Sequence, residues 1–502
     1  MQRRRGGEAA VWLALLLIVA GLQGADPFAD WLAGRELFRK EFSEAEGAGA
    51  PTPLLRLSDG RPALAMGRAF SCALCHNTPF GDAGAGATIA RGGPRIGRST
   101  PHLFGAGAME QTAQAISNAL LGIADRDRDG LITAADAPFA EAVVQDIRFG
   151  SFVDADGDGW PDLDPAVSIV CVDAVGGRVP GARGTADPRV AGWWPAVAAF
   201  GWGEVPASRS LDPTALRPFI AGAFAQHAGL QADDGAVSQP EPSKDPAVIR
   251  SATSASLHGA STWQQSASAG PLGARASPLG ARLLPGTIAI DPGGRRAADG
   301  RSLDDPDGDG VLSELRRDDL DRIERYLLDH PEPPTALPPP PIFTKIGCAG
   351  CHRPDWSFAQ PDRRAIRWTW TDSSAIAAPR LPGPLIVTGM YTDFCSHDLG
   401  EQLWIHQADG TVIRRFRTPP LWGVASTGPW LHDGRALDLD AAIRGHGAAA
   451  AGYSELDPAK RREILDFLAQ LRLQRVGDQP QRLGDQPQRL GDQPQRVGNQ
   501  QR

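Results

Sequence analysis

Cysteine is scarce in this chain, six in 502 residues, and methionine scarcer still, at four. Six cysteines over that length are too few to staple a disulfide-dense scaffold, so their meaning lies in their spacing. There is no basic surplus either. Against 59 Asp and Glu stand 51 Lys and Arg, a formal charge of −8, which offers no overall basic field for nucleic acid. The only long apolar run lies at the extreme N-terminus, which excludes a multi-span membrane protein. What the chain has in plenty is Gly and Pro, 58 and 43, beside 42% hydrophobic and 22% charged residues. That mixture describes roughly three domains of about 150 residues threaded with loop, and excludes collagen, coiled coil and wholesale disorder.

Residues 1–25 read as a secretory signal. Arg3, Arg4 and Arg5 form a basic start, and residues 9–22 form an apolar stretch too short for a comfortable membrane span, with a cleavage position after Ala25. Left uncleaved, the same segment would be an N-terminal membrane anchor, the only route to a membrane. In both cases the body is expected in the periplasm.

The body divides by composition. Residues 26–231 form a first domain, with helical spacing over 30–43, 111–124 and the LDPTALRPFIAGAFAQHAG stretch that follows a Trp-rich segment. Residues 232–302 are rich in Ser, Ala, Gly and Pro without a period and read as a linker or surface excursion. An Asp-rich loop, a short helix (DDLDRIERYLLDH) and a Pro-rich connector occupy 303–341. A second domain spans 342–473, closing on a helix with Asp457 as N-cap and Pro458 at its first position. The repeats of 474–502, RLGDQPQ and its variants, read as a disordered tail.

Four of the six cysteines fall into two copies of Cys-x-x-Cys-His: Cys72, Cys75 and His76, then Cys348, Cys351 and His352. Two thiols three residues apart on one helical turn can add to the two vinyl groups of a haem, and the next imidazole then reaches the iron. With six Cys and ten His in 502 positions, one chance copy is expected about once in a thousand such compositions. Paired zinc knuckles or structural disulfides leave both histidines unexplained. Two covalently bound c-type haems are therefore expected. Cys171 and Cys395 remain, either as a disulfide joining the halves or as separate buried thiols.

Residues 125–136 match a calcium-binding loop, with Asp125, Asp127 and Asp129 at positions 1, 3 and 5, Gly130 at the turn, Thr133 at 9 and Asp136 at 12. The acid at 12 is one methylene shorter than the usual Glu, so Ca²⁺ and a solvated acidic turn both stand as readings. Asp154, Asp156 and Asp158, and Asp305, Asp307 and Asp309, repeat the head of the pattern without its closing acid.

In the C-terminal part, Arg417-Thr418-Pro419-Pro420-Leu421-Trp422-Gly423 is followed by Pro429-Trp430-Leu431-His432-Asp433-Gly434-Arg435 and then LDLDAAIRGHG. Together with Phe343-Thr344-Lys345-Ile346-Gly347, the His397-Asp398-Leu399-Gly400 segment, Arg98-Ser99-Thr100-Pro101-His102-Leu103-Phe104-Gly105 and Phe200-Gly201-Trp202, this resembles the di-haem oxidoreductase family, also described as thiol oxidoreductases. The family is related to bacterial di-haem cytochrome c peroxidases. The resemblance spans about residues 30–473 without the linker. It implies a mainly α fold of two cytochrome c-like domains with long loops and few strands. It also implies electrons passing from a low-spin C-terminal haem to a peroxidatic N-terminal haem that reduces peroxide or a related small oxidant.

By the same resemblance the position fourteen residues after His432, His446, supplies the second axial ligand of the C-terminal haem, with Met390 as its competitor. A bis-His haem would be a six-coordinate relay. At the N-terminal haem, Glu110 is the candidate acid–base group and His102 a candidate ligand or hydrogen-bonding partner on the same side. His397 and His432 are candidates for a haem edge or propionate. Relatives place a Trp between the haems in the segment before the Arg98 motif. Residues 77–110 hold none, leaving Trp202, Trp356, Trp422 and Trp430 as alternatives. The implied donor is a small redox protein or quinol-linked cytochrome. Two other readings stay open, a non-enzymatic electron carrier and oxidation of a partner protein by a high-valent di-haem state.

Overall fold

A computed structural model of the chain describes residues 27–49, 70–86, 99–138, 140–154, 157, 168–173, 190–200, 215–230, 232–233, 311, 314–333, 338–359, 384–406 and 412–474. The signal segment, nearly all of the linker and tail, Trp202, Asp156, Asp158 and the second Asp-rich loop lie outside them. Among the described residues are nine α-helices: α1 (Pro27–Arg39), α2 (Cys72–Cys75), α3 (Ala106–Ala124), α4 (Arg217–Ala223), α5 (Arg317–Leu328), α6 (Pro341–Lys345), α7 (Leu439–Arg444), α8 (Ala451–Ser454) and α9 (Pro458–Leu468). None is long and apolar enough to cross a membrane.

Strands there are short and pair two by two. β1 (Glu141–Val144) joins β2 (Ile147–Ser151), and β3 (Ser168–Asp173) joins β4 (Val190–Ala196), both antiparallel. β5 (Ala232–Asp233) lies parallel to β6 (Leu315–Arg316), and β7 (Trp356–Phe358) antiparallel to β8 (Leu385–Val387). β9 (Ser396–Asp398) pairs with β12 (Arg415–Arg417), and β10 (Ile405–His406) with β11 (Val412–Ile413). The mainly helical class that the resemblance implies is what the described residues adopt.

Helix α1 begins with Asp30 in its first turn and ends on Arg39, charges that suit the helix dipole. It crosses α5 so closely that a Cβ on Gly34 would stand 2.0 Å from the Arg322 carbonyl oxygen; only glycine fits. Around the crossing, Tyr326 packs edge-on to Trp31 at 5.1 Å and against Phe38 at 5.3 Å. The sequence puts the α5 helix in a connector. Its Leu320, Ile323 and Leu327 instead form an apolar stripe at i, i+3 and i+7 that needs cover, and α1 and α4 supply it.

A second, smaller core closes the C-terminal half. Phe343 of α6 meets Phe467 of α9 at 5.6 Å, Tyr391 packs on both, and Asp457 caps α9 by accepting from the Lys460 N–H. The largest core belongs to neither half alone. Helix α3 and Trp193, Trp194 and Phe149 pack with Trp356, Val387, Met390, Phe394 and Trp422. Each fully buried Trp removes about 150–250 Å² from water, worth roughly 4–6 kcal/mol in transfer terms. Burial on that scale binds the 99–200 segment to the 342–430 segment, and so sets the two Cys-x-x-Cys-His turns in one framework.

Candidate haem sites

In the first motif, Ser71 caps the single turn of α2 by accepting from the Leu74 N–H at 3.2 Å, and the His76 N–H returns to the Cys72 carbonyl at 2.9 Å. The i, i+3 spacing puts both thiols on one side. The second motif makes the same return, His352 N–H to the Cys348 carbonyl at 2.9 Å, across a tighter turn entered by Gly347 at φ +94°. None of these four cysteines is in a disulfide. Burial raises Cys72 to about 12 and pushes Cys75 and Cys348 up as well.

The imidazoles are more telling. His76 Nδ1 meets the Pro101 carbonyl at 2.9 Å and the Gly84 carbonyl at 3.2 Å; His352 Nδ1 meets the Tyr391 carbonyl at 3.0 Å. A carbonyl only accepts, so in each ring Nδ1 carries the hydrogen and Nε2 keeps a bare lone pair. Desolvation lowers both rings to about 4, so that lone pair is available at neutral pH.

Opposite His352 stands His446. Its Nδ1 is tied to the Ala442 and Ile443 carbonyls at 2.9 and 3.1 Å, which again leaves Nε2. The two ring centroids are 6.5 Å apart with planes at 61°. Two metal–nitrogen bonds of about 2 Å plus two imidazole radii of about 1.1 Å come to about 6.2 Å, so the centroid separation is compatible with one iron held by both rings. Residues 339–471 match the family model described as "Di-haem oxidoreductase, putative peroxidase". The stretch matched holds Cys348, Cys351, His352 and His446, and the resemblance read from the sequence is to this same family. No curated protein and no solved structure matches the chain.

With haem the group implied by that family, the remaining candidates can be placed. Met390 is fully buried in the large core, and its neighbour Tyr391 holds His352 from the Nδ1 side. His432 stacks on Phe416 at 4.6 Å, and its carbonyl accepts from the Ser99 N–H at 2.9 Å. His397 Nε2 lies 2.8 Å from an Asp393 carboxylate oxygen, and Cys351 Sγ shares the cluster. Hydrogen bonding to Asp393 first, and then to Cys351, raises His397 to about 10.

On the first half, Glu110 accepts from the Leu216 N–H at 2.8 Å, just before α4. His102 donates through Nε2 to the Trp422 carbonyl at 2.9 Å. Because the neighbouring Pro101 carbonyl takes the Nδ1 hydrogen of His76, His102 sits behind that imidazole rather than across from its Nε2. The sequence reading missed His227. It lies in a π-helical turn, Phe224–Ala228, between α4 and α5, as His446 lies between α7 and α9. Its charge opposes protonation of His76, as that of His446 does for His352. The Phe42–Phe224 contact at 5.7 Å and the Gly49 N–H to Ala228 carbonyl bond at 2.6 Å fix the turn beside the segment leading to Cys72. The AGAFAQHAG string was legible as a motif, but nothing in its spacing pairs it with His76.

In the acidic loop, Asp125, Asp127 and Asp136 each bring an oxygen within 4.8 Å of the others. Asp129 and Thr133 are not in that group, and accept from the Leu131 and Ala135 N–H groups. Cys395 is buried, its Sγ 3.9 Å from the Arg148 carbonyl, and the side chain of Cys171 lies outside the described residues. Of the tryptophans, Trp356 donates to the Thr392 carbonyl, Trp430 to the Val424 carbonyl, and Trp422 lays its ring over Gly105.

His330, unmarked by the sequence, is 3% exposed among Trp31, Phe104 and Tyr326, and neither ring nitrogen has a hydrogen-bond partner. Desolvation lowers it to about 4, against 6.5 for a free histidine. Below pH 6.5 the unfolded chain takes up a proton that the folded protein refuses until about pH 4, so stability falls as pH drops through that window. His330→Phe is expected to recover roughly 2–3 kcal/mol at pH 4.5 while changing little at pH 7.5. Urea unfolding at the two values measures it; equal effects at both would contradict the assignment.

Proposed function

We propose that the chain is an exported, periplasmic di-haem c-type oxidoreductase of two cytochrome c-like units. It takes electrons from a small redox protein at its C-terminal half and delivers them to a peroxide-like small oxidant at its N-terminal half. The observation that carries this reading is the facing pair His352 and His446, each with Nδ1 spent on a main-chain carbonyl. Bound at the two motifs, haem supplies one-electron redox chemistry that no side chain here provides.

The residues divide the work. Cys72, Cys75, Cys348 and Cys351 anchor through thioethers, and His76 and His352 are the proximal ligands. His446 closes the second site, which makes that half a relay rather than a substrate site. On the first half His227 lies close enough to His76 for its charge to oppose protonation of that ring, which makes it a candidate second ligand there. That placement favours the second reading, an electron carrier with two six-coordinate irons, if His227 stays ligated during turnover.

The test is to express the full chain with a c-type maturation system and count haem by pyridine haemochrome and intact mass. Two covalent haems are expected, and one in the Cys72→Ser/Cys75→Ser variant. Absence of covalent haem would sink the proposal. A ferric spectrum with a high-spin component that shifts on adding peroxide supports the enzyme, and two inert low-spin haems leave the carrier. The same sample with Ca²⁺ should melt at a higher temperature if Asp125, Asp127 and Asp136 hold the ion.

A further inference from the structure

The backs of the two proximal histidines are joined by a continuous row of residues in which hydrogen bonds alternate with covalent stretches. His76 donates from Nδ1 to the Pro101 carbonyl at 2.9 Å. The next residue, His102, donates from Nε2 to the Trp422 carbonyl at 2.9 Å. Leu421, bonded to Trp422, donates its N–H to the Met390 carbonyl at 3.0 Å. The next residue again, Tyr391, accepts on its carbonyl from His352 Nδ1 at 3.0 Å. Six residues and four hydrogen bonds thus run from one proximal imidazole to the other.

Of the four links, two are made by the proximal imidazoles and one by a main-chain N–H, and each ends on a main-chain carbonyl, which almost any sequence could supply. Among these four, the His102 link is the one that crosses between the halves, and a side chain makes it. It is also built in. Desolvation lowers His102 to about 4, so the ring is neutral, and donation to a carbonyl fixes the hydrogen on Nε2. Beside it, Gly423 at φ +77° leaves no room for a side chain, since a Cβ there would stand 2.4 Å from Leu473 and 3.2 Å from His102 Nε2. Gly105 at φ +73° lets the Trp422 ring lie flat against the same loop; a Cβ at Gly105 would stand 2.7 Å from that ring. Ser99 adds two more bonds across the junction, to the His432 and Pro429 carbonyls, both at 2.9 Å.

We propose that His102 is a positioning residue that couples the two haem sites through their proximal histidines, and that this chain of bonds is the route for electron exchange between them. The proposal rests on the di-haem reading above. One electron leaves the site held by His352 and enters the site held by His76. No bond breaks, and the hydrogen on His102 Nε2 stays in place. The continuity is spatial, and its energetic meaning is settled only by perturbing the one side chain in it.

The experiment uses the di-haem holoprotein. One electron is injected by pulse radiolysis, and its equilibration between the two haems is followed optically, with the midpoint potentials measured on the same samples. In His102→Leu, which cannot donate, equilibration should slow about tenfold while the axial-ligand spectra of both haems stay as in the parent. His102→Gln, which keeps a donor at similar reach, should restore most of the rate. An unchanged rate in His102→Leu with both haems present overturns the proposal, as does a slowing that Gln fails to rescue. If His102→Leu loses haem, His102→Asn is measured instead; it is polar but too short to reach the Trp422 carbonyl, and the same slowing is expected. A parent protein without two haems fails the functional reading and is recognised before any rate is taken.

Discussion

Replacing Arg217 by alanine is expected to cost about 3–5 kcal/mol of folding stability, a fall in Tm on the order of 10 °C. The guanidinium is 1% exposed and meets Asp321 at 2.6 Å and Glu324 at 2.7 Å, and Glu324 itself is fully buried. Arg217 opens α4, where a cation works against the helix dipole, so its presence there is explained by its partners on α5. Alanine would leave the Glu324 carboxylate buried without its counter-charge, which is the expensive way to break a buried pair. Removing both charges is different in kind. The double variant Arg217→Met/Glu324→Leu should recover most of the loss, because two apolar chains of similar volume fill the space without desolvated charge. A double variant as unstable as the single would show that packing, rather than charge, carries the site. The consequence extends to function, since α4 leads directly into the turn bearing His227. Loosening α4 from α5 should broaden the spectral signature of the N-terminal site before the C-terminal one changes.

Much of the local structure was legible because it depends on spacing along the chain. Asp457 and Pro458 announce the start of α9, the Cys-x-x-Cys-His turns are each a single local unit, and His446 is found by counting from His432. What the sequence could not show are the long-range contacts. The helix α5 reads as a piece of connector because its flanks are Asp- and Pro-rich, and only the approach of Gly34 to Arg322 reveals it as the partner of α1. The large core joining the halves has no signature in either half; Trp422 and Trp356 look like any tryptophan until α3 and Gly105 are beneath them. The same holds for His227, His330 and the His102–Trp422 bond, each created by residues some 100 to 320 positions apart. Glu110 was a reasonable acid–base candidate by its place after the Arg98 motif, yet a carboxylate there finds a main-chain N–H at Leu216 and is held by it.

Substituting His446 with alanine is expected to abolish the low-spin signal of one haem and convert it to a high-spin or water-ligated form, with the other haem unchanged. The local structure makes this a clean experiment. His446 follows α7, whose Asp438 cap accepts from the Ala441 N–H at 2.7 Å and whose Asp440 holds Arg444 at 2.7 Å and Tyr453 at 2.7 Å. None of these bonds involves the imidazole, so the helix should survive its loss. The ring's own bonds go only to the Ala442 and Ile443 carbonyls at the helix end, groups that water can satisfy in its absence. The protein should therefore fold and retain both haems, and the change should be confined to axial ligation. Potential gives a second, independent reading. Two imidazoles hold a haem at lower potential than one imidazole with a thioether, so His446→Met, if it ligates, should keep the haem low-spin while raising its potential. Alanine and methionine thus predict opposite spin states and distinguish ligation from packing. A spectrum and potential unchanged in both variants would remove His446 from the iron and return Met390 to consideration. That outcome would require Met390 to leave a core in which it is wholly buried and to reach the iron side of His352 past Tyr391, whose carbonyl holds that ring from behind.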